Sequence, residues 1–234
     1  IKKVLAIIIV AIILIGVLLT VGIGNYFVNY AIARSGDGGN REIKEDSKIE
    51  VLGEDEQLIE DNRKSASESA QNWANNIINQ KVEIQANDGV TLRGTEYITD
   101  KDSENWAIIL HGYRAEPKSV LTIGEHFSAK GYNVLIPSMR ACADSDGEFV
   151  GMGWLDKDDL KCWINLIITE NPNAKIILHG SSMGAATVLM ASGDELPSNV
   201  KAIIADSGYT SVWDIFASEA KARFGLPSFP VLNM

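Results

Sequence analysis

The chain has 234 residues, 46% of them hydrophobic, with 31 acidic against 21 basic side chains and a net charge of −10. That length fits one domain with an appendage, and the acidic balance, with no basic patch, argues against nucleic acid as a partner. Two cysteines make no disulfide framework and three scattered histidines make no metal-ligand cluster, so no cofactor or metal is expected.

Lys2 and Lys3 precede Val4 to Ile23, twenty residues without a charge. At the helical rise this run spans about 30 Å, one bilayer core. Tyr26, Phe27 and Tyr30 follow where an aromatic belt would sit. Ala31-Ile32-Ala33 resembles a cleavage site, but the apolar run exceeds the usual signal-peptide core, which favours a retained anchor over residues 1–30. The leading lysines predict a single pass in the cell membrane with the domain extracytoplasmic, a contrast weakened by Arg34 and Arg41. Residues 31–80 read as a charged linker and a helix. Gly36, Gly38 and Gly39 open the linker, and the dense charge beyond them cannot bury enough apolar surface to order itself. A sparse stripe of Leu58, Ile59, Trp73, Ile77 and Ile78 predicts a helix over about 55–79, with Trp73 packing it onto the domain.

From residue 81 to 234 strands and helices alternate. Runs 82–86 and 90–98 flank Asn87-Asp88-Gly89, a hairpin turn. A buried strand is expected at 106–110, a helix at 119–130 stopped by Gly131, and a strand at 132–136. An amphipathic helix is expected at 155–169, a strand at 175–178 and another at 200–205. Apolar strands separated by helices imply an α/β fold, a mostly parallel sheet covered on both faces, with functional residues at the carboxyl ends of strands. Between the strand at 175–178 and the helix from Ala185 lies His179-Gly180-Ser181-Ser182-Met183-Gly184. Read as G-x-S-x-G, it puts Ser182 on a sharp strand-to-helix turn, with the helix N-terminus aimed at any oxyanion formed there.

The order of hairpin, Leu110-His111-Gly112-Tyr113, Ser138-Met139-Arg140 through Gly147, and this turn resembles the α/β-hydrolase superfamily. Within it, the chain is most similar to bacterial membrane-anchored serine hydrolases of the esterase and serine aminopeptidase-like group. The resemblance implies Ser182 as catalytic nucleophile, with the backbone N–H groups of Tyr113 and Met183 as the oxyanion hole. It gives His111 the task of holding the oxyanion turn, whereas its position alone would also suit a general base. His179 reads as packing, and His126 sits on a helix away from the strand ends. The usual R-x-H-G-x-S-x-G loop is here Arg140-Ala141-Cys142-Ala143-Asp144-Ser145-Asp146-Gly147, so its turn geometry is in question. Cys142 and Cys162 read as small packing residues; a Cys142 nucleophile has no elbow to support it.

A hydrolase triad runs Ser, acid, His, and no histidine follows Ser182 in this sequence. Asp206 is a candidate acid, although capping the Ser207–Ser211 turn is its commoner use. The α/β-hydrolase fold is therefore expected to be incomplete, with its last strands absent and the start of a lid after residue 207. Together with Ile1 in place of Met, this reads as a piece of a longer protein. The expected activity is hydrolysis of a small-molecule carboxylic ester, thioester or amide through an acyl-enzyme. This piece is expected to be inactive or nearly so, and a non-catalytic membrane-tethered binding module is the alternative.

Overall fold

A computed structural model describes residues 2–36 and 53–225 of the chain, which fall into two compact units. The charged linker with Arg41 and the last residues of the sequence lie outside the described residues.

One unit joins Ile1–Gly38 with Thr210–Met234. Its first helix, α1 (Lys2–Ala31), carries an apolar span, Ile7–Ala31, of 25 residues with no part of the span buried, long and apolar enough to cross a membrane. Near its end the Tyr30 hydroxyl accepts a bond from Arg223 at 3.1 Å, and the Phe224 ring stands edge-on to Phe27 and Tyr30. Arg223 and Phe224 close α6 (Val212–Phe224). That helix starts at Ser211, whose hydroxyl accepts the Asp214 N–H, and stops at the left-handed Gly225.

The other unit, Gly39–Tyr209, holds a six-stranded sheet. In chain order its elements are α2 (Gly53–Asn76), β1 (Ile78–Gln85), β2 (Thr91–Ile98), β3 (Asn105–Leu110), α3 (Leu121–Ser128), β4 (Asn133–Pro137), α4 (Asp156–Glu170), β5 (Lys175–Ser181), α5 (Met183–Ser192) and β6 (Val200–Asp206). The strand order is β1-β2-β4-β3-β5-β6. β1 and β2 form the antiparallel hairpin, β2 runs antiparallel to β4, and β4, β3, β5 and β6 are parallel. The expected mostly parallel sheet with helices on both faces is present.

Two differences from the sequence reading have local causes. Ile78, expected on a helix, opens β1: pairing Ile78 with Ile98 lets the hairpin use the whole of β2, and the ladder outweighs one more helical turn. The helix expected from Ser119 begins with a 3-10 turn, Pro117–Val120, because Pro117 suits only the first turn.

Alternation along the strands builds two cores. On one face Ala107, Ile109, Val134 and Ile136 pack with Ala70 and Ala74 of α2 and Leu121 of α3. Trp73 joins this layer as expected, with its ring 4.8 Å from Tyr97 and its indole N–H donating to Ser128 Oγ at 3.0 Å. The opposite face buries Ile108, Leu135, Ile176 and Leu178, together with Leu160, Trp163, Ile164 and Ile167 of α4. At about 25 cal/mol per Å² of apolar surface, each such side chain contributes on the order of 2 kcal/mol.

Candidate active site

Ser182 sits between β5 and α5 with φ 54° and ψ −113°, backbone angles that non-glycine residues seldom adopt. Two close approaches force the conformation. A Cβ on Gly180 would overlap the Gly184 carbonyl, and a Cβ on Gly184 would overlap the Leu110 carbonyl. Glycine at both positions lets the turn close. The Ser182 N–H donates to the Asp206 carbonyl at 2.8 Å, and the Ser182 carbonyl accepts the Ala186 N–H at 3.0 Å, which starts α5. Met183 is fully buried as the first residue of that helix, where N–H groups lack intrahelical acceptors.

The His111-Gly112-Tyr113 turn lies directly beside this serine. A Cβ on Gly112 would stand 3.4 Å from Ser182 Cβ and 3.8 Å from its Oγ. His111 is completely buried, and both ring nitrogens are committed. Its Nε2 accepts the Met139 N–H at 3.0 Å, and Nδ1 lies 2.9 Å from the Gly112 carbonyl, to which it donates. Burial also pushes its pKa down. The imidazole is thus a neutral strut between the turn and the segment after β4, not a free base. The Tyr113 hydroxyl accepts from Arg114 Nε at 2.8 Å.

His179 points to the α3 face of the sheet, with its ring 6.3 Å from Phe127. Burial pushes its pKa down while the charge of Asp206 raises it. With Ile123, Phe127 and Ile204 it lines an apolar groove of about 430 Å³ that does not include Ser182. His126 is exposed on α3. Among the described residues no histidine hydrogen-bonds the Ser182 hydroxyl. Asp206 is exposed, and its carboxylate accepts the Ser207 hydroxyl at 2.9 Å.

The loop after β4 keeps its shape through a buried charge cluster. Arg140 Nε and a terminal nitrogen donate to both Asp159 oxygens at 2.9 and 2.6 Å, and its other contacts reach Asp88 at 2.6 and 3.2 Å. Ser145 Oγ donates to the Ser138 carbonyl at 2.6 Å and accepts the Arg93 N–H at 2.8 Å. The altered turn keeps left-handed backbone at Ala141 (φ 57°) and Ala143 (φ 44°), which alanine adopts only at a cost. Cys142 is buried and Cys162 half-buried, both as thiols, with burial pushing the Cys162 thiol up. The sequence reading missed Asp159 and Asp156. The signal was present: both lie on the stripe of α4 that carries Leu160 and Trp163, an odd place for carboxylates without partners.

The sequence pattern of the alpha/beta hydrolase fold family matches residues 106–230, more than half of the chain. The chain belongs to the α/β-hydrolase family. An uncharacterized Bacillus subtilis (strain 168) protein, YqkD, is 31% identical over 145 residues, which is 62% of this chain and 47% of that protein. The chain therefore spans about half the length of this relative. Among solved structures, the Pyrococcus furiosus esterase Pf2001 superposes with a TM-score of 0.58 at 25% identity, covering 69% of this chain and 62% of the esterase. A second crystal form of that esterase gives a TM-score of 0.52 at 23% identity over 70% and 68% of the two chains. The family pattern spans β3, β4, β5 and β6 of this α/β-hydrolase, with the Ser182 turn among them.

Proposed function

We propose that this α/β-hydrolase is a membrane-anchored serine hydrolase acting on carboxylic esters, thioesters or small amides through an acyl-enzyme on Ser182. The observation that carries the reading is the strained backbone of Ser182, held by two obligatory glycines beside the Gly112 turn. Backbone strain of this kind costs about 1–3 kcal/mol and clusters at active sites, and here it presents an exposed serine. The similar Pyrococcus furiosus protein is named an esterase, which favours ester chemistry.

In this reading Ser182 Oγ attacks the substrate carbonyl carbon as its proton passes to solvent water, which returns a proton to the leaving group. The Tyr113 and Met183 N–H groups stabilise the oxyanion, and collapse expels the alcohol, thiol or amine. Water then releases the acyl group. Each oxyanion donor is worth about 3 kcal/mol to the transition state. Deprotonation of Ser182 needs a base, and His111 is spent on its two hydrogen bonds. We read Asp206, whose carboxylate accepts the Ser207 hydroxyl, as a residue of the turn rather than as the acid. Residues 1–234 alone are therefore expected to turn over very slowly. α1 supplies the membrane anchor with the domain extracytoplasmic.

The alternative, a tethered binding module without catalysis, draws on the same lack of a histidine at the Ser182 hydroxyl among the described residues. A fluorophosphonate probe and an activated p-nitrophenyl ester on purified residues 1–234 separate the two. Slow labelling that is lost in Ser182→Ala supports the hydrolase reading. Ester binding with labelling no faster than in that variant sinks it and favours the module. Membrane insertion is tested by carbonate extraction of the full chain, which should leave it in the pellet.

A further inference from the structure

The segment 149–155 ends the connection that leaves β4, and α4 then runs back beneath it. By topology this loop lies at the carboxyl end of the parallel strands, the end that carries Ser182. Beneath it Asp156 is 2% exposed. Its Oδ2 accepts the Gly153 N–H at 2.8 Å, whereas Oδ1 has no hydrogen-bond partner. The loop wraps the carboxyl so tightly that a Cβ on Gly151 would overlap it. A second tie comes from beyond β6, where the Tyr209 hydroxyl donates to the Met152 carbonyl at 2.8 Å.

The charged and titratable neighbours are few. Arg140 is committed to Asp159 and Asp88, and Asp159 sits one turn along α4 from Asp156. Lys157 turns away to Asp194 at 2.6 Å and lies 4.9 Å from the Trp154 ring. Tyr209 faces the carboxyl from after β6. From α5 the loop meets Met190 and Thr187, neither of them charged. A buried carboxylate oxygen without a donor is costly, whereas a protonated acid in the same place is tolerable.

We propose that Asp156 is a proton-operated latch for the loop 149–155. The neutral carboxylic acid stays dry and holds the loop against α5; loss of its proton to solvent water draws water in and releases the loop. Burial pushes this carboxyl up to about 7, with the charge of Asp159 adding to the rise and the Gly153 N–H opposing it. The folded chain thus binds a proton that an unfolded one has already lost. The latch is closed below about pH 7 and opens as pH rises through it. His111 and His179 are both pushed down by burial, so they do not mask a change near pH 7. The proposal does not depend on Ser182 being catalytic.

Hydrogen exchange of peptides covering 149–155 in the full chain, corrected for intrinsic rates, tests it between pH 6 and 8. Protection should fall about tenfold across that window, as the neutral fraction does. Asp156→Asn should abolish the dependence, and Tyr209→Phe, by removing the second tie, should move its midpoint to lower pH. Trp154, 66% exposed on this loop, gives an independent fluorescence signal by difference with Trp154→Phe. Flat wild-type protection, or an unchanged fall in Asp156→Asn, overturns the latch. Should Asp156→Asn not fold, an unshifted midpoint in Tyr209→Phe overturns it equally.

Discussion

The backbone amide of Ser182 donates to the backbone carbonyl of Asp206 at 2.8 Å, so the turn that presents the serine is tied to the end of the neighbouring strand. Main-chain atoms alone make this tie. It therefore survives any substitution at Asp206, which separates the aspartate's place in the fold from a role for its carboxylate. Asp206→Asn is expected to leave both stability and Ser182 labelling within twofold of wild type. A tenfold loss of labelling at unchanged stability would restore the carboxylate as the acid.

Backbone strain at Ser182 should be measurable. Ser182→Gly removes the Cβ that makes φ 54° costly and is expected to stabilise the chain by about 1 kcal/mol in urea unfolding. Ser182→Ala keeps the Cβ and should not. Both lose probe labelling, so equal stabilities in the two variants would deny the strain.

At Gly180 and Gly184 the effect reverses. Alanine at either position drives a methyl into main-chain carbonyls that cannot rotate away, and about 3 kcal/mol of stability should go. A loss below 1 kcal/mol would mean the turn is looser than its geometry implies.

Arg140 and Asp159 are each 7% exposed at the side chain, while Asp88 on the same guanidinium is 52% exposed. Removing a partner from a buried pair strands the other charge at a cost of about 3–5 kcal/mol, against about 1 kcal/mol or less at an exposed site. Asp159→Asn should accordingly destabilise far more than Asp88→Asn, and Arg140→Lys should not rescue the two-pronged contact. Equal urea midpoints for the two Asn variants would contradict this ranking.

His111 makes a pH prediction with a definite sign. Its folded pKa lies below that of a free imidazole, so folding excludes a proton. Stability from this group is complete above about pH 6.5 and declines as pH falls through that value. Asp156 slopes the opposite way, being lost as pH rises toward about 7, so the difference between wild type and His111→Gln is the quantity to follow. That difference should shrink from pH 7 to pH 5; a constant difference would rule the reading out.

Much of this was legible in the sequence because it rests on local chemistry. Gly180 and Gly184 around Ser182 state a turn through spacing alone, and β3, β4 and β5 are apolar runs bounded by turn residues. The order of strands was not legible, since nothing in Asn105–Leu110 says that it lies between β4 and β5. Asp156 and Asp159 stood out only as carboxylates on the apolar stripe of α4, and what they bind was hidden for a related reason. Their partners, Arg140 and the Gly153 amide, become neighbours only once the loop has folded over α4. The start of β1 at Ile78 depended on its partner across the hairpin, which propensity does not reveal.

The position of β3 bears on biosynthesis. One edge of this strand pairs with β5, whose first residue is made 65 positions after Leu110. At ribosomal speeds of about 5–20 residues per second, that edge waits roughly 3–13 s for its partner. During the wait Trp106-Ala107-Ile108-Ile109-Leu110 is a bare apolar template of the kind that joins to other chains. Yield during expression should therefore depend on whether a chaperone or slow dilution shields this one short strand.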